Sequence, residues 1–206
     1  GITPALGESV AAVCLDACKM AKECGITVSC DLNYRKNLWT TEQAKATMER
    51  LLEYVDILIA NEEDAEKVLG ISAPDTDVTA GKLNKEGYVS VAKQICRKYG
   101  IPTVAITLRQ SISASDNNWS GMLYTNDTAY FSREYAVHLV DRVGGGDSFG
   151  AGLIFAIGHG FEPQKCIDYA VAASCLKQTM EWDVNLSTEK EIMTLVNGDG
   201  SGRVQR

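Results

Sequence analysis

Short apolar, β-branched runs alternate with stretches whose apolar residues recur every three or four positions. This alternation limits the fold more than any other feature of the chain. Residues 26–30, 56–60 and 103–108 read as buried strands, and 137–140 as a further one. Between them lie helical patterns. Residues 8–24 carry Val10, Val13, Cys14, Ala17, Ala21 and Cys24 on one expected buried face, closed by Gly25. Thr40 and Gln43 form a capping box that opens a helix to about Glu53. Residues 62–69 and 86–99 read as helices closed by Gly70 and Gly100. A hairpin is expected from 119–125 and 129–132, with Asn126 and Asp127 near its turn. Further helices are expected up to about Gly160, from Pro163 to about Met180, and from Ser187. Residues 71–84 read as a loop and 197–206 as a Gly-rich, disordered tail. The pattern predicts an α/β fold with a mostly parallel sheet covered by helices on both faces.

In such sheets ligands bind beyond the carboxyl ends of the strands. Polar clusters follow the predicted strands at 31–35, 61–64, 107–109 and 141–147, and predict one shared site. Gly144, Gly145 and Gly146 stand directly before a helix. Glycines let backbone approach a ligand, and a helix N-terminus offers unpaired N–H groups and partial positive charge, so an anion site is one reading. A turn that uses glycine's access to positive φ is the other. Asp147 comes next. Negative charge beside a bound phosphate makes sense if the carboxylate takes a proton from an attacking hydroxyl; an ordinary acidic residue in a first helical turn is the plainer reading. A dinucleotide fingerprint would need glycine where Phe149 stands, and a P-loop would need lysine where Ala151 stands.

The 206 residues hold 20 Lys and Arg against 27 Asp and Glu, a net charge of −7. Acids and bases are mixed without a basic patch, which argues against nucleic acid as a partner. No apolar run reaches the roughly 18–20 residues needed to span a bilayer. Seven scattered cysteines, with no Cys-x-x-Cys pair, fit small core residues in a reducing cytoplasm better than a disulfide framework.

Asp141-Arg-Val-Gly-Gly-Gly-Asp-Ser-Phe-Gly-Ala-Gly152 resembles the C-terminal signature of the PfkB, or ribokinase-like, carbohydrate kinases, usually Asp-Thr-x-Gly-Ala-Gly-Asp-x-Phe. Arg142 and Gly145 depart from it. The resemblance implies a three-layer α/β/α sandwich and gives residues 144–146 the stabilisation of the moving phosphoryl group, with Asp147 as catalytic base. Asn61-Glu-Glu-Asp64 resembles the family's Asn-x-x-Glu motif of the magnesium and phosphate environment, with Asp64 in place of Glu. Asp31-Leu-Asn-Tyr-Arg-Lys-Asn-Leu-Trp39 resembles the 2-keto-3-deoxygluconate kinase branch. There Asn33, Tyr34 and Arg35 would border the sugar acid and the transferred phosphate, Arg35 pairing with a carboxylate or phosphate. Thr107-Leu-Arg109 resembles the nucleotide-site strand end, with Arg109 for the usual Gly. Residues 172–179 resemble the adenine-side helix, and in Glu181-Trp-Asp183 a Trp replaces Gly while Asp183 would reach a substrate hydroxyl.

The resemblance therefore implies ATP-dependent phosphorylation of 2-keto-3-deoxygluconate with Mg²⁺. Residues 1–196 would be the C-terminal nucleotide-binding and catalytic portion. The family's N-terminal part and lid are expected upstream of Gly1, in a longer protein that forms a homo-oligomer. A different PfkB kinase, such as a fructokinase, and a nucleotide-binding fragment without catalysis are the competing readings.

Overall fold

Ile57, Leu58, Ile59 and Ala60 are all buried, as are Val104, Ala105 and Ile106. Their uninterrupted apolar character marks strands covered on both faces. In the computed structural model, which describes residues 1–72 and 85–198, they lie in β2 (Ile57–Asn61) and β3 (Thr103–Ser111). Strand β1 (Ser29–Asp31) pairs in parallel with β2, and β2 in parallel with β3. Strands β4 (Asp116–Thr125), β5 (Thr128–Phe131) and β6 (Tyr135–His138) complete a mixed sheet of order β1-β2-β3-β4-β5, with β6 antiparallel to β4. Asn126 and Asp127 take φ of 50° and 56° in the β4–β5 turn, the left-handed pair that a two-residue hairpin demands.

Two units divide the chain. The first comprises residues 1–108 and 122–129, the second 109–121 and 130–206, so the boundary passes through β3 and β4. The first unit contains α1 (Glu8–Glu23), α2 (Thr41–Leu52), α3 (Glu62–Leu69) and α4 (Lys85–Tyr99). The expected capping box is present: Thr40 Oγ1 accepts the Gln43 N–H, and Gln43 Oε1 accepts the Thr40 N–H. Gly70 closes α3 at φ 66°.

The second unit is built on α5 (Gly145–Gly158), α6 (Pro163–Gln178) and α7 (Glu189–Asn197). Helix α6 is buried at eleven positions from Cys166 to Gln178, with apolar residues all round, as in a helix that runs through a core. Thr188 and Glu191 form a second capping box, which starts α7 two residues later than expected.

Three expectations are corrected. In α1 only Leu15 is buried, while Val13 and Met20 are 66% and 64% exposed and Ala17 and Cys24 are exposed. Apolar residues lie around much of this helix, so periodicity alone picked the wrong stripe. Strand β1 is three residues long with no fully buried position, because β2 is its one strand neighbour among the described residues; Ile26 is exposed. Of the seven cysteines, all free, Cys166 and Cys175 are buried and Cys24 is exposed. The loop expected at 71–84 lies outside the described residues from 73 onward, and the tail from 199 onward. Among the described residues no helix is long and apolar enough to cross a membrane.

Candidate active site

In the first unit, the chain leaving β1 meets the start of α3. Asp31 Oδ1 accepts the Asn33 N–H at 3.1 Å, which helps turn the chain and places Asn33 at φ 34°. Asn33 Oδ1 is buried without a partner, the kind of unsatisfied acceptor that ordinary packing avoids. One residue on, the Tyr34 N–H donates to Asp64 Oδ1 at 3.1 Å. Asn61 ends β2 and caps α3, its Oδ1 accepting the Asp64 N–H at 2.7 Å. The predicted clusters 31–35 and 61–64 are therefore joined by a backbone-to-carboxylate bond, and a backbone-to-amide bond braces the second of them internally.

A cleft of about 310 Å³ opens there, lined by Tyr34, Arg35, Lys36, Asn61, Asp64 and Lys67 among others. Arg35 is exposed, and its guanidinium donates to the Tyr34 carbonyl at 3.0 Å. Lys67 pairs with Glu63 one turn away. Asp64 is buried, and burial pushes its carboxyl up to about 6, against the Tyr34 N–H, which favours the ionised form. The cleft thus presents Arg35, Lys36 and Lys67 beside the carboxyls of Asp64 and Glu63, the latter paired with Lys67, which leaves Arg35 and Lys36 to attract an anion.

The second unit holds the glycine run. Gly144 caps α5 in the left-handed region, φ 78°. A Cβ there would stand 2.0 Å from the Asp183 carbonyl oxygen, so only glycine fits. A Cβ on Gly145 would stand 3.2 Å from Gln178 Cγ. The Gly145 N–H donates to the Arg142 carbonyl and the Ser148 N–H to that of Gly144, but those of Gly146 and Asp147 have no carbonyl partner among the described residues. The start of α5 is therefore an open pair of donors with the helix dipole behind them. Gly146 and Asp147 are exposed, and no hydrogen-bond partner of the Asp147 carboxylate occurs among the described residues. The anion-site reading of the glycines gains this support; the turn reading is also satisfied at Gly144.

The remaining predicted residues fall as follows. Thr107 and Arg109 lie inside β3, which runs to Ser111, three residues beyond the expected end. Thr107 is half-buried in the first unit, and Arg109 is exposed in the second. Asp183 is exposed, with its backbone against Gly144. Trp182, where glycine was expected, takes φ 69° with 77% of its surface exposed. The chain keeps the glycine-like turn despite a residue poorly suited to it.

Sequence reading missed the side chains that hold the glycine loop. Ser174, Lys177 and Gln178 are buried polar residues of α6 at helical spacing i, i+3, i+4, and so share a face. Three polar residues in the otherwise apolar second half of the helix were the available signal.

Comparison with known proteins covers nearly the whole chain. The family model for "pfkB family carbohydrate kinase" matches residues 4–181. The crystal structure of a 2-dehydro-3-deoxygluconokinase from Thermotoga maritima is 50% identical with a TM-score of 0.89, over 96% of this chain and 58% of its own. A PfkB family carbohydrate kinase from Listeria grayi is 34% identical with a TM-score of 0.84, over 95% of this chain and 57% of its own. A 2-dehydro-3-deoxygalactonokinase of Haloferax volcanii is 27% identical over 98% of this chain and 57% of its length. The chain thus spans rather more than half the length of these relatives. A match running from residue 4 to residue 181, through the cleft residues and the glycine loop alike, means that the chain belongs to the pfkB family of carbohydrate kinases.

Proposed function

We propose that this chain carries the phosphoryl-transfer machinery of an ATP-dependent kinase that phosphorylates 2-keto-3-deoxygluconate on its terminal hydroxyl. The observation that carries the reading is the exposed Asp147 carboxylate in the first turn of α5, next to two N–H groups with no carbonyl partner. Asp147 takes the proton of the attacking hydroxyl, and the free N–H groups of Gly146 and Asp147, at the end of the glycine run 144–146, stabilise charge on the moving phosphoryl group. Asn33, Asn61, Thr107 and Arg109 serve the nucleotide, and Tyr34 and Asp183 the sugar. Arg35 pairs with the substrate carboxylate or with phosphate, because its planar fork matches either.

Mg²⁺ is the implied metal. Among the described residues no group of three His, Cys, Asp or Glu side chains could hold a metal ion by itself. Asn61 and Asp64 fit an ion held through water and phosphate oxygens, the usual mode for Mg²⁺. When bound, it neutralises phosphate charge. The neighbours named for 2-dehydro-3-deoxy sugar acid kinases support this substrate class.

The test is turnover of the purified protein with ATP, Mg²⁺ and a panel of 2-keto-3-deoxygluconate, its galacto epimer and fructose, with nucleotide binding titrated in parallel. The expected result is kcat/KM on a keto-deoxy acid at least about tenfold above that on fructose. Equal or better use of fructose overturns the substrate assignment. Nucleotide binding with no turnover of any sugar overturns catalysis.

A further inference from the structure

Helix α6 contains a lysine with no exposed surface. Lys177 is 0% exposed, and its Nζ donates to the Asp141 carbonyl at 3.2 Å. Burying such a group is costly unless its hydrogen bonds are satisfied, and among the described residues no salt bridge reaches it. Its contact is with the segment that leads into the glycine run. On the same helix face, Ser174 Oγ donates to the Gly145 carbonyl at 2.7 Å. The Gln178 carbonyl accepts the Val140 N–H at 2.9 Å, and Gln178 Nε2 donates to the Ser174 carbonyl at 3.3 Å. Asp141 Oδ1 accepts the Val143 N–H at 2.9 Å, which tightens the chain between these anchors. The last turns of α6 therefore grip both ends of residues 140–145.

We infer that Lys177 is a positioning residue for phosphoryl transfer: through the Asp141 carbonyl it fixes the approach to Gly144, and so the aim of the Gly146 and Asp147 N–H groups. The inference rests on the proposed kinase reading for its catalytic consequence; its structural part stands on the clamp alone. Ser174 holds the far end at Gly145, and Lys177 is the side chain of α6 that holds the near end. Gly144 lies between them in the left-handed region, with no Cβ to restrict it. Without the Lys177 bond, residues 141–144 gain freedom and the donors lose their fixed direction. Loss of alignment lowers kcat more than it raises KM for the sugar, because binding of the sugar is carried elsewhere.

The experiment compares wild type with Lys177→Met, which keeps length and apolar bulk but removes the donor, and Lys177→Gln, which keeps an N–H donor on a shorter stem. Amide hydrogen exchange is read across α5, α6 and residues 140–147, and kcat and KM are measured with ATP and the sugar acid. In Lys177→Met, exchange at the hydrogen-bonded amides of Val143 and Gly145 should accelerate by about tenfold while the second half of α5 is unchanged. Its kcat should fall by roughly 10- to 100-fold with sugar KM within about threefold. Lys177→Gln should lie between Met and wild type in both readouts. Exchange at the Val143 and Gly145 amides equal to wild type in Lys177→Met overturns the inference, as does acceleration spread uniformly over α5 and α6. If Lys177→Met does not fold, Lys177→Gln decides: acceleration confined to the Val143 and Gly145 amides supports the clamp, and wild-type or uniformly raised exchange overturns it. A wild-type protein inactive on every sugar refutes the kinase reading, while the exchange comparison still decides the role of Lys177.

Discussion

Three consecutive glycines of one loop should respond to alanine in three different ways. At Gly144 two costs combine. Alanine in the left-handed region costs about 1–2 kcal/mol. Its Cβ would also stand 2.0 Å from the Asp183 carbonyl oxygen, a backbone atom that cannot rotate away, so the Asp183 segment or the start of α5 must move by about an ångström. Overpacking of that kind costs about 1–3 kcal/mol. Gly144→Ala should therefore destabilise by about 3 kcal/mol, a fall of about 1–2 M in the urea midpoint. At Gly145 the obstacle is Gln178 Cγ at 3.2 Å, a side-chain atom that must shift by a few tenths of an ångström. The helix propensity of alanine offsets that strain, so Gly145→Ala should stay within about 1 kcal/mol of wild type. This agrees with the family signature, which usually has alanine at this position. At Gly146 a Cβ meets nothing within 4 Å, and Gly146→Ala should stabilise by about 0.5 kcal/mol. Urea unfolding followed by circular dichroism reads all three. A Gly146→Ala loss as large as that of Gly144→Ala, or a neutral Gly144→Ala, would refute the packing argument.

Asp147→Asn should lower kcat by about 10²–10⁴-fold with nucleotide affinity within a few-fold of wild type; turnover close to wild type removes Asp147 from the chemistry. Arg35→Ala should weaken use of the keto-deoxy acid by about tenfold to a hundredfold, and of a neutral sugar far less; equal losses in steady-state kinetics would assign Arg35 to phosphate or to structure. Asp64 gives a pH signature: its carboxyl is raised from 3.8 to about 6 by burial, so its stabilising contribution is full below about pH 4 and lost as pH rises through 6. That loss is about 3 kcal/mol at roughly 1.4 kcal/mol per pH unit. Asp64→Asn should flatten this part of the stability profile, and an unchanged profile would contradict the assignment. Trp182→Gly should stabilise by about 0.5–1 kcal/mol, because it relieves the left-handed backbone at a side chain that buries little surface; a lower melting temperature would show that the indole packs in a way its exposure conceals.

Local chemistry was legible in the sequence. The capping box at Thr40 and Gln43, the Asn126-Asp127 turn and the Gly70 stop each depend on residues within a few positions, and each formed as expected. Sidedness was less legible. The stripe chosen on α1 presumed that any aligned apolar residues would find a partner, yet Val13 and Ala17 face outward while Leu15 is buried. Strand β1 is short for a related reason: β-branched residues favour a strand, but a neighbour is needed to complete one. The cleft clusters at 31–35 and 61–64 were legible as polar residues following predicted strands and by family resemblance, and their joining through the Tyr34 N–H and Asp64 required the fold. The unsatisfied Asn33 Oδ1 and the left-handed Trp182 are invisible in sequence, since both are properties of backbone conformation and surroundings. Lys177 stood out as a polar residue in an apolar stretch, but its partner is a main-chain carbonyl 36 positions away, which no residue pattern encodes.

The grip of α6 on the glycine loop has a thermodynamic corollary. A loop held by water-exposed contacts can melt and reform while the rest of a protein stays folded, and a ligand that binds it then stabilises little else. Here the anchors are fully buried side chains of a helix that runs through the core, so releasing the loop means disturbing α6 itself. Loop and helix should behave as one cooperative block. An anion seated on the Gly146 and Asp147 N–H groups would then raise the unfolding free energy of that whole block, by about 2.7 kcal/mol at a hundred times its Kd, and calorimetry would register as a shift in a global transition what began as a contact with two amides.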